Sequence, residues 1–210
     1  MPVEAPLYPV NLIVSGRPVL VVGGGRVAAQ KVRGLVKAGA AVTVVAPEVD
    51  DEVRDQAVTV DQRPYRRGEV TGYRLAVAAT GDPAVNQQVY DDGEAAGVWV
   101  NSADDPERCS VTLPARVDRG RLMVTVSTGG YSPAVASWVR DRIAADLGPE
   151  FDTLVGMLAE ARGEVIRRGE STEGLDWRAA LDSGILDLIR AGRLEAAKER
   201  LAACLSSSSD

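Results

Sequence analysis

The chain reads Val19-Leu-Val-Val-Gly-Gly-Gly-Arg-Val-Ala28 where an apolar run meets a glycine turn and the start of a helix. As a pattern, the turn is Gly23-x-Gly25-x-x-Ala28, the dinucleotide-binding fingerprint with alanine as its last small residue. Gly23 permits the sharp turn, Gly25 has no side chain where the backbone must approach a pyrophosphate, and Ala28 lets the helix pack closely on the strand. We therefore predict that a nucleotide binds here, with its phosphates at the positive end of the helix.

The residues after the turn complete a βαβ unit. Helix 27–38 carries apolar residues at helical spacing and stops at Gly39, a typical C-terminal glycine. A second apolar strand, 41–46, follows at once. A glycine triplet also occurs in ordinary turns that bind nothing, but this context favours the nucleotide-binding interpretation.

The rest of the first hundred residues continues to alternate strands and helices. Strands are predicted at 57–61, 73–79 and 98–101, and a helix at 82–97 begins with an Asp-Pro pair and ends at a glycine. This order predicts an α/β fold with a Rossmann-type parallel sheet covered on both faces. Ligands of such sheets bind at the carboxyl ends of the strands, so the loops after residues 22, 45 and 79 form the candidate site.

The pattern changes after residue 110. Two strand-like runs, 111–117 and 122–127, predict a β-hairpin, and a helix begins with Ser132 as N-cap and Pro133 and runs to about residue 147. The chain is then predicted to be helical to its tail. We therefore predict a Rossmann domain at 1–112, a β-hairpin-plus-helix segment at 113–147, a helical C-terminal domain at 148–205 and a disordered tail at 206–210.

The composition excludes several classes of chemistry. The 210 residues include no histidine, which rules out histidine bases, histidine metal ligands and Ser-His-Asp triads. A net charge of −6 argues against nucleic acid as a partner. No apolar run is long enough to span a membrane, the start does not resemble a signal peptide, and the cysteines lie far apart. We therefore expect a cytoplasmic protein with reduced thiols, no metal site and no membrane contact.

The end of the second strand carries the residues that select the cofactor. Glu48 lies about 20 residues after the glycines, where an acid holds a ribose hydroxyl in NAD-binding folds. No basic residue directly follows to bind a ribose phosphate, so NAD is favoured over NADP, although Arg26 in the glycine loop weakens that preference. Glu48 can also be interpreted as only an exposed loop acid, because Pro47 displaces it from the usual position at the strand end.

Two further sets of polar residues could serve a reaction. Asp104 follows the strand that ends at Asn101, and an ionised carboxylate at the mouth of the ligand crevice can accept a proton. The alternative is a simple Asp-Asp-Pro turn at 104–106. Loop amides at 128–130 and nearby arginines could bind an anionic ligand, or the arginines could lie on a solvated face. These arginines are Arg108, Arg116, Arg119, Arg121, Arg140 and Arg142.

Five motifs occur in a characteristic order: Val22–Ala28, Ala38–Pro47, Ala78–Asp82 with Val85-Asn86, Asn101–Asp104 and Val126–Pro133. Their order resembles that of the precorrin-2 dehydrogenase and sirohydrochlorin ferrochelatase family, which includes the N-terminal part of multifunctional sirohaem synthases. The similarity covers about residues 8–147. The glycine loop alone is unspecific, whereas Ser-Thr-Gly-Gly-x-Ser-Pro after an Asn-x-x-Asp strand end is highly specific.

The resemblance implies the oxidation of precorrin-2, a tetrapyrrole with eight carboxylates, to sirohydrochlorin with NAD as hydride acceptor. Some members also insert ferrous iron (Fe2+), and the family forms homodimers through the segment predicted here at 113–147. Asp104 falls on the position of the catalytic base, and Thr128 on a position where some members carry a serine that can be phosphorylated. Besides Gly23 and Gly25, the NAD-contacting positions correspond to Arg26, Val27, Pro47, Glu48, Thr80 and Gly81. The predicted substrate site comprises Asn101, Arg108, Arg119, Ser127, Thr128, Gly129, Gly130 and Ser132.

This chain departs from the family in some places, and other functions compete with it. Asn-Ser-Ala-Asp at 101–104 replaces the commoner Asn-Val-Val-Asp, and no large methyltransferase domain follows, so uroporphyrinogen methylation is not expected. A regulatory NAD-binding module without catalysis would explain the fingerprint, but it would leave Asp104 and the loop 127–133 without a role. A short-chain dehydrogenase would need Tyr-x-x-x-Lys, a pattern absent at Tyr65, Tyr73, Tyr90 and Tyr131.

Overall fold

The computed structural model describes residues 6–56, 58–103 and 105–206. The chain divides into two compact units, of which the first holds the residues up to Leu113 together with Thr128–Ser132. The second unit holds Pro114–Ser127 and the chain from Pro133 onward. The domain boundaries predicted at 112 and 147 stay a prediction. Among the described residues, no helix combines the length and the apolar character needed to cross a membrane.

The first unit is built on a five-stranded sheet in which each neighbouring pair of strands is parallel. Along the sheet the strand order is β3-β2-β1-β4-β5, so the strand before the glycine turn lies in the middle. The predicted Rossmann-type parallel sheet is therefore confirmed. The strands are β1 (Pro18–Val22), β2 (Ala41–Ala46), β3 (Thr59–Gln62), β4 (Leu75–Ala78) and β5 (Trp99–Ser102).

Helices cover both faces of this sheet. Because successive side chains of a strand point to opposite faces, β1 presents Val21 to the face that packs on α1 (Arg26–Lys37) and Leu20 to the face that packs on α3 (Pro83–Ala96). Between them in the chain lies the short helix α2 (Asp51–Arg54). Burial on both faces explains why the central strands are continuous apolar runs rather than alternating ones.

A short segment, residues 109–111, runs along the outer side of β5. The Val100 carbonyl accepts bonds from the N–H groups of Ser110 (2.9 Å) and Val111 (3.1 Å), and the Val100 N–H donates to Ser110 Oγ at 2.8 Å. This engagement explains a wrong boundary in the sequence prediction. The first strand of the hairpin, predicted to begin at Val111, begins instead at Ala115, because Val111 bonds to the parallel sheet and Pro114 has no N–H to donate.

The second unit combines the predicted hairpin with helices. Strands β6 (Ala115–Arg119) and β7 (Leu122–Val126) pair in an antiparallel manner around Gly120, whose φ of +64° suits glycine. Ser206 ends the last helix, and the remainder of the predicted disordered tail, 207–210, lies outside the described residues. The helices are α4 (Pro133–Asp146), α5 (Glu150–Arg167), α6 (Trp177–Asp182), α7 (Ile185–Arg190) and α8 (Leu194–Ser206). Their core is Leu154, Met157, Ala180, Ile185, Ile189, Ala197 and Leu201.

Candidate functional site

The loops after β1, β2 and β4 are joined at the carboxyl edge of the sheet by main-chain hydrogen bonds. The Gly23 N–H donates to the Val45 carbonyl (3.0 Å), and the Ala79 N–H donates to the Val22 carbonyl (2.8 Å). The Asp50 N–H donates to the Gly24 carbonyl (2.9 Å). The three loops that were predicted to form a site therefore lie together.

Two of the three glycines have no room for a side chain. Gly23 has φ of +123°, and a Cβ atom there would lie 2.3 Å from the Ala79 carbonyl oxygen. A Cβ atom at Gly24 would lie 2.1 Å from the Glu48 carbonyl oxygen. The sequence analysis gave Gly24 no role, although three consecutive glycines were a signal that the middle one is also required.

Gly25 differs from its two neighbours because the fold itself does not need a glycine there. Its φ of −89° is accessible to any residue. The nearest atom to a Cβ atom placed there would be Asp50 Oδ2, at 4.0 Å. Gly25 is exposed, so its missing side chain leaves open space directly in front of α1.

The N-terminus of α1 is left without a cap by the protein. Among the described residues, no side chain makes a capping hydrogen bond at the N-cap position, Gly25, and the first turn contains no acidic residue. The first N–H groups of a helix have no acceptor within the helix, and the exposed Arg26 adds a positive charge beside them. Val27 is half-buried at the next position. Open space, unsatisfied donors and positive potential together fit a pyrophosphate.

The loop after β2 is braced from β3 and presents two carboxylates. The Pro47 carbonyl accepts a hydrogen bond from Gln62 Nε2 (3.2 Å), and Gln62 Oε1 accepts one from Arg54 (2.8 Å). Glu48 is exposed, as is Asp50, whose carboxylate lies nearest to Gly25. The sequence analysis missed Asp50. It stands at the N-cap of α2 yet makes no capping bond with its side chain, which leaves its oxygens available to a ligand.

The loop after β4 is held by a buried asparagine. Asn86 Oδ1 accepts bonds from the Thr80 N–H (3.3 Å) and the Thr80 hydroxyl (2.7 Å), and Asn86 Nδ2 donates to the Thr80 carbonyl (3.1 Å). Asp82 caps α3 by accepting a bond from the Ala84 N–H (2.8 Å). Thr80, predicted to contact NAD, therefore turns its polar groups toward the protein, while Gly81 beside it is exposed.

The predicted base, Asp104, lies outside the described residues. Before it on β5, Asn101 is buried and donates through Nδ2 to the Val111 carbonyl (3.0 Å). Asn101 Oδ1 and Ser102 Oγ are buried, and neither has a hydrogen-bond partner among the residues that the structure describes. Cys109 Sγ accepts a bond from the Ser102 N–H (3.2 Å), and burial raises the pKa of the Cys109 thiol. The carboxyl end of β5 thus offers two unused polar atoms.

The predicted substrate residues fall into both units. In the first unit, Arg108 is held by Gln87 Oε1 (2.6 Å from Nε) and by an ion pair with Asp105. In the second, Arg119 donates to the carbonyls of Leu147 (2.5 Å) and Ala144 (3.0 Å). Arg119 therefore caps the end of α4, and its substrate contact stays a prediction.

The predicted glycine-rich loop folds around the Thr128 hydroxyl. Thr128 Oγ1 accepts a hydrogen bond from the Ser132 N–H (3.1 Å) and lies 3.1 Å from the Ser132 carbonyl. Gly129 and Gly130 have φ of +59° and +81°, values that favour glycine. Ser127, the last residue before the loop, is exposed and belongs to the second unit. The substrate contacts predicted for these residues stay predictions.

Comparison with protein families gives two matches. Residues 10–115 match the model described as putative NAD(P)-binding, and residues 119–145 match the model described as sirohaem biosynthesis protein central. Curated relatives include the siroheme synthase of Nitrosococcus oceani, 36% identical over 94% of this chain and 43% of the relative. The siroheme synthase of Azotobacter vinelandii is 42% identical over 73% of this chain and 34% of the relative. The chain thus spans less than half the length of these relatives.

Among solved structures, the chain is similar to SirC, described as a precorrin-2 dehydrogenase. The TM-score is 0.73 at 29% sequence identity, and the match covers 94% of this chain and 98% of that one. The likeness therefore extends over nearly the whole length of both chains.

Proposed function

Because this chain belongs to the putative NAD(P)-binding family, we propose that it is an NAD-dependent dehydrogenase that oxidises precorrin-2 to sirohydrochlorin. The observation that carries this proposal is the uncapped N-terminus of α1 beside the open Gly25, a place for the pyrophosphate of a dinucleotide. Similarity to SirC over nearly the whole chain supports the choice of substrate. The competing function is regulatory: a chain that binds NAD(P) as a signal and catalyses no reaction.

We assign the cofactor contacts to the three joined loops. The N–H groups at the start of α1 bind the pyrophosphate, and the carboxylates of Glu48 and Asp50 accept bonds from the ribose hydroxyls. Both carboxylates would repel a phosphate on that ribose, which favours NAD over NADP. NAD supplies the hydride acceptor. Precorrin-2 loses two electrons and two protons, so one hydride leaves for the cofactor and one proton must be accepted elsewhere.

We assign the proton to Asp104, and the substrate carboxylates to Arg108 and to the loop 128–130. A carboxylate with an ordinary pKa is ionised at neutral pH and can accept a proton. Arg108 uses Nε and Nη1 in its bonds to Gln87 and Asp105, so Nη2 is the part of the guanidinium that would meet a substrate carboxylate. The glycine-rich loop 128–130, whose Gly129 and Gly130 have positive φ, is assigned to the same carboxylates.

The test is anaerobic incubation of the purified chain with precorrin-2 and NAD. We expect NADH and sirohydrochlorin to appear in equal amounts, and Asp104→Asn to lower kcat by about 100-fold or more. The control is Asp187→Ala, which removes an exposed acid from the second unit. NAD binding without turnover would support the sensing function instead, and unchanged turnover in Asp104→Asn would remove that residue from the mechanism. Adding ferrous iron to the product tests whether the chain also makes sirohaem.

We also propose that the chain forms a homodimer through β7 and α4. Met123, Val135 and Trp138 expose large apolar surfaces there, with Trp138 59% exposed and Arg142 stacked 5.0 Å from its ring centre. Met123 lies on β7, while Val135 and Trp138 lie on α4, which contacts β7. Large exposed apolar side chains on adjoining elements are typical of protein interfaces. Light scattering should give the mass of two chains, and Trp138→Glu should give the mass of one. A monomeric parent chain would overturn the assignment.

A further inference from the structure

We propose that Asn86 is a positioning residue that holds the loop after β4 in place. In that position the main-chain groups of Gly81, rather than those of Thr80, contact the cofactor. The inference rests on the proposed function only in taking the ligand to be a nicotinamide dinucleotide. It concerns the loop 79–82, which the sequence analysis assigned to the cofactor through Thr80 and Gly81. No role was predicted for Asn86, although its motif was noted.

The first step is that each polar group of Thr80 already has a protein partner. Its N–H, its hydroxyl and its carbonyl all bond to Asn86, at 3.3, 2.7 and 3.1 Å. The hydroxyl also accepts a bond from the Asp82 N–H at 3.1 Å. A ligand that accepted a bond from the Thr80 N–H or hydroxyl would have to break a bond to Asn86, which costs about 1 kcal/mol or more. Thr80 is therefore part of the support and not the contact.

The second step is the choice of side chain at position 86. Asparagine carries an acceptor and a donor on one short planar group, so it can bond to both the N–H and the C=O of the same residue. Aspartate lacks the donor, and leucine lacks both. Asn86 is 8% exposed and sits in the first turns of α3, whose start is fixed by the Asp82 cap and Pro83. A buried group on a rigid helix thus sets the position of an exposed loop.

The third step is the space at Gly81. A Cβ atom at Gly81 would have no heavy atom within 4 Å, and the residue is exposed. Within the part of the chain that the structure describes, no backbone hydrogen bond uses the Gly81 N–H or carbonyl. The loop therefore presents one residue with open backbone groups, directly after one whose groups are all engaged.

The position of this loop also affects the glycine turn. The Ala79 carbonyl lies where a side chain at Gly23 would have to go, and the Thr80 nitrogen lies 3.2 Å from that same point. The Ala79 N–H donates to the end of β1 at 2.8 Å. Loosening Thr80 would therefore disturb the pyrophosphate turn as well as Gly81, and both effects weaken cofactor binding.

The test is the affinity of the full chain for NAD, measured by calorimetry without substrate, in Asn86→Ala. We expect Kd to rise about tenfold, the equivalent of one to two lost hydrogen bonds. Hydrogen exchange should become faster in peptides that cover 79–82 but not in those that cover β2. In turnover, KM for NAD should rise while kcat at saturating NAD stays within about twofold. A variant that merely lost stability would lower the active fraction, and with it kcat, without moving KM.

Two further variants make the result decisive. Gln88→Ala removes a side-chain amide from the same helix, and this amide makes no hydrogen bond among the described residues. The variant should bind NAD as the parent chain does. Thr80→Val removes only the hydroxyl, so it should raise Kd by about threefold, less than Asn86→Ala. If Thr80→Val weakens binding more than Asn86→Ala, or if Asn86→Ala binds normally, the inference is wrong.

If Asn86→Ala does not fold, Asn86→Ser takes its place, because a water can fill the gap that the shorter polar side chain leaves. We expect the same rise in Kd, and normal NAD binding by Asn86→Ser would overturn the inference. A parent chain that binds NAD but does not oxidise precorrin-2 would refute the proposed function while leaving this test intact, since the test measures binding alone.

Discussion

The turn after β1 and the turn after β4 both join a buried parallel strand to a helix at the same edge of the sheet, yet they treat the helix N-terminus differently. At α1, within the part of the chain that the structure describes, no side chain caps the first N–H groups. At α3 the Asp82 carboxylate accepts a bond from the Ala84 N–H, and Asn86 ties the preceding loop to the helix. The turn before α1 leaves the helix N–H groups and their positive potential to a ligand. The turn before α3 satisfies its N–H groups with protein side chains.

This difference gives the two turns at one edge of the sheet different roles in binding a ligand. An uncapped helix start costs some stability and attracts an anion, while a capped start next to it provides a rigid wall. The two turns touch through Ala79 and Gly23, so the rigid turn also holds the open one in place. Substitutions that exchange the properties of the two turns should therefore change stability and NAD binding in a predictable order.

The largest effect is expected from Gly24→Ala, which would break the packing between the open turn and the loop after β2. Its new Cβ atom would lie 2.1 Å from the Glu48 carbonyl, so the backbone must shift. We expect the free energy of unfolding to fall by about 3 kcal/mol, as measured by urea denaturation. Gly25→Ala, the adjacent position with open space, is the matched control and should cost less than about 1 kcal/mol. Equal losses in the two variants would contradict the steric argument.

The next effect is expected from Gly25→Asp, which would give α1 the kind of cap that α3 has. The extended backbone of Gly25 suits an N-cap aspartate, so the free energy of unfolding should rise by a few tenths of a kcal/mol, on the order of 0.5. The same carboxylate would occupy and repel the pyrophosphate position, so Kd for NAD should rise by about 100-fold. Calorimetry and urea denaturation measure the two changes. Tighter or unchanged NAD binding would show that the phosphates lie elsewhere.

A smaller effect is expected from Asp82→Ala, which would remove the cap from α3. Loss of an N-cap bond typically costs about 1 kcal/mol, and urea denaturation should detect it. Asp91→Ala, on the exposed side of the same helix, is the control and should change stability by less than about 0.5 kcal/mol. If both variants are equally stable, the cap does not contribute to the rigidity of this turn.

The smallest effect concerns a fourth loop, the one that follows β5. Burial raises the pKa of the Cys109 thiol, so the folded state keeps its proton when the unfolded state begins to lose it near pH 8.5. Above that pH the unfolded chain binds fewer protons, and stability falls as pH rises. Denaturation between pH 8 and 9.5 should show this slope, and Cys109→Ala should reduce it. An unchanged slope would mean that the thiol is not responsible.

The first half of the chain was predictable because its signals are local. A strand that must be buried on both faces is a continuous apolar run, and the glycines at 23 and 39, both with positive φ, mark turns that other residues rarely make. The strand β2 is found at the predicted residues. The resemblance to the precorrin-2 dehydrogenase family is also confirmed by the family models and by the similarity to SirC.

The errors and omissions arise from contacts between distant residues. Val111 looked like a hairpin residue but bonds to β5, and no local pattern announces that. The substrate contact of Arg119 stays a prediction, and no local pattern announced that its guanidinium donates to the end of a helix 25 to 28 residues away in sequence. The NAD contact of Thr80 also stays a prediction, and no local pattern announced its hydrogen bonds to Asn86. The direction in which a side chain points and the partner that it finds depend on the fold. Residue type and spacing do not, so only these can be taken directly from the sequence.

The segment 109–111 covers main-chain groups on the outer edge of β5. A bare strand at the edge of a sheet offers its N–H and C=O groups to strands of other molecules, and such pairing starts aggregation. Here both main-chain groups of Val100 are already bonded to Ser110 and Val111. Trp99, half exposed at the beginning of β5, would add an apolar contact surface to an edge with unpaired main-chain groups. We therefore expect the residues beside β5 to prevent edge-to-edge pairing between molecules, and with it fibre-like association at high concentration.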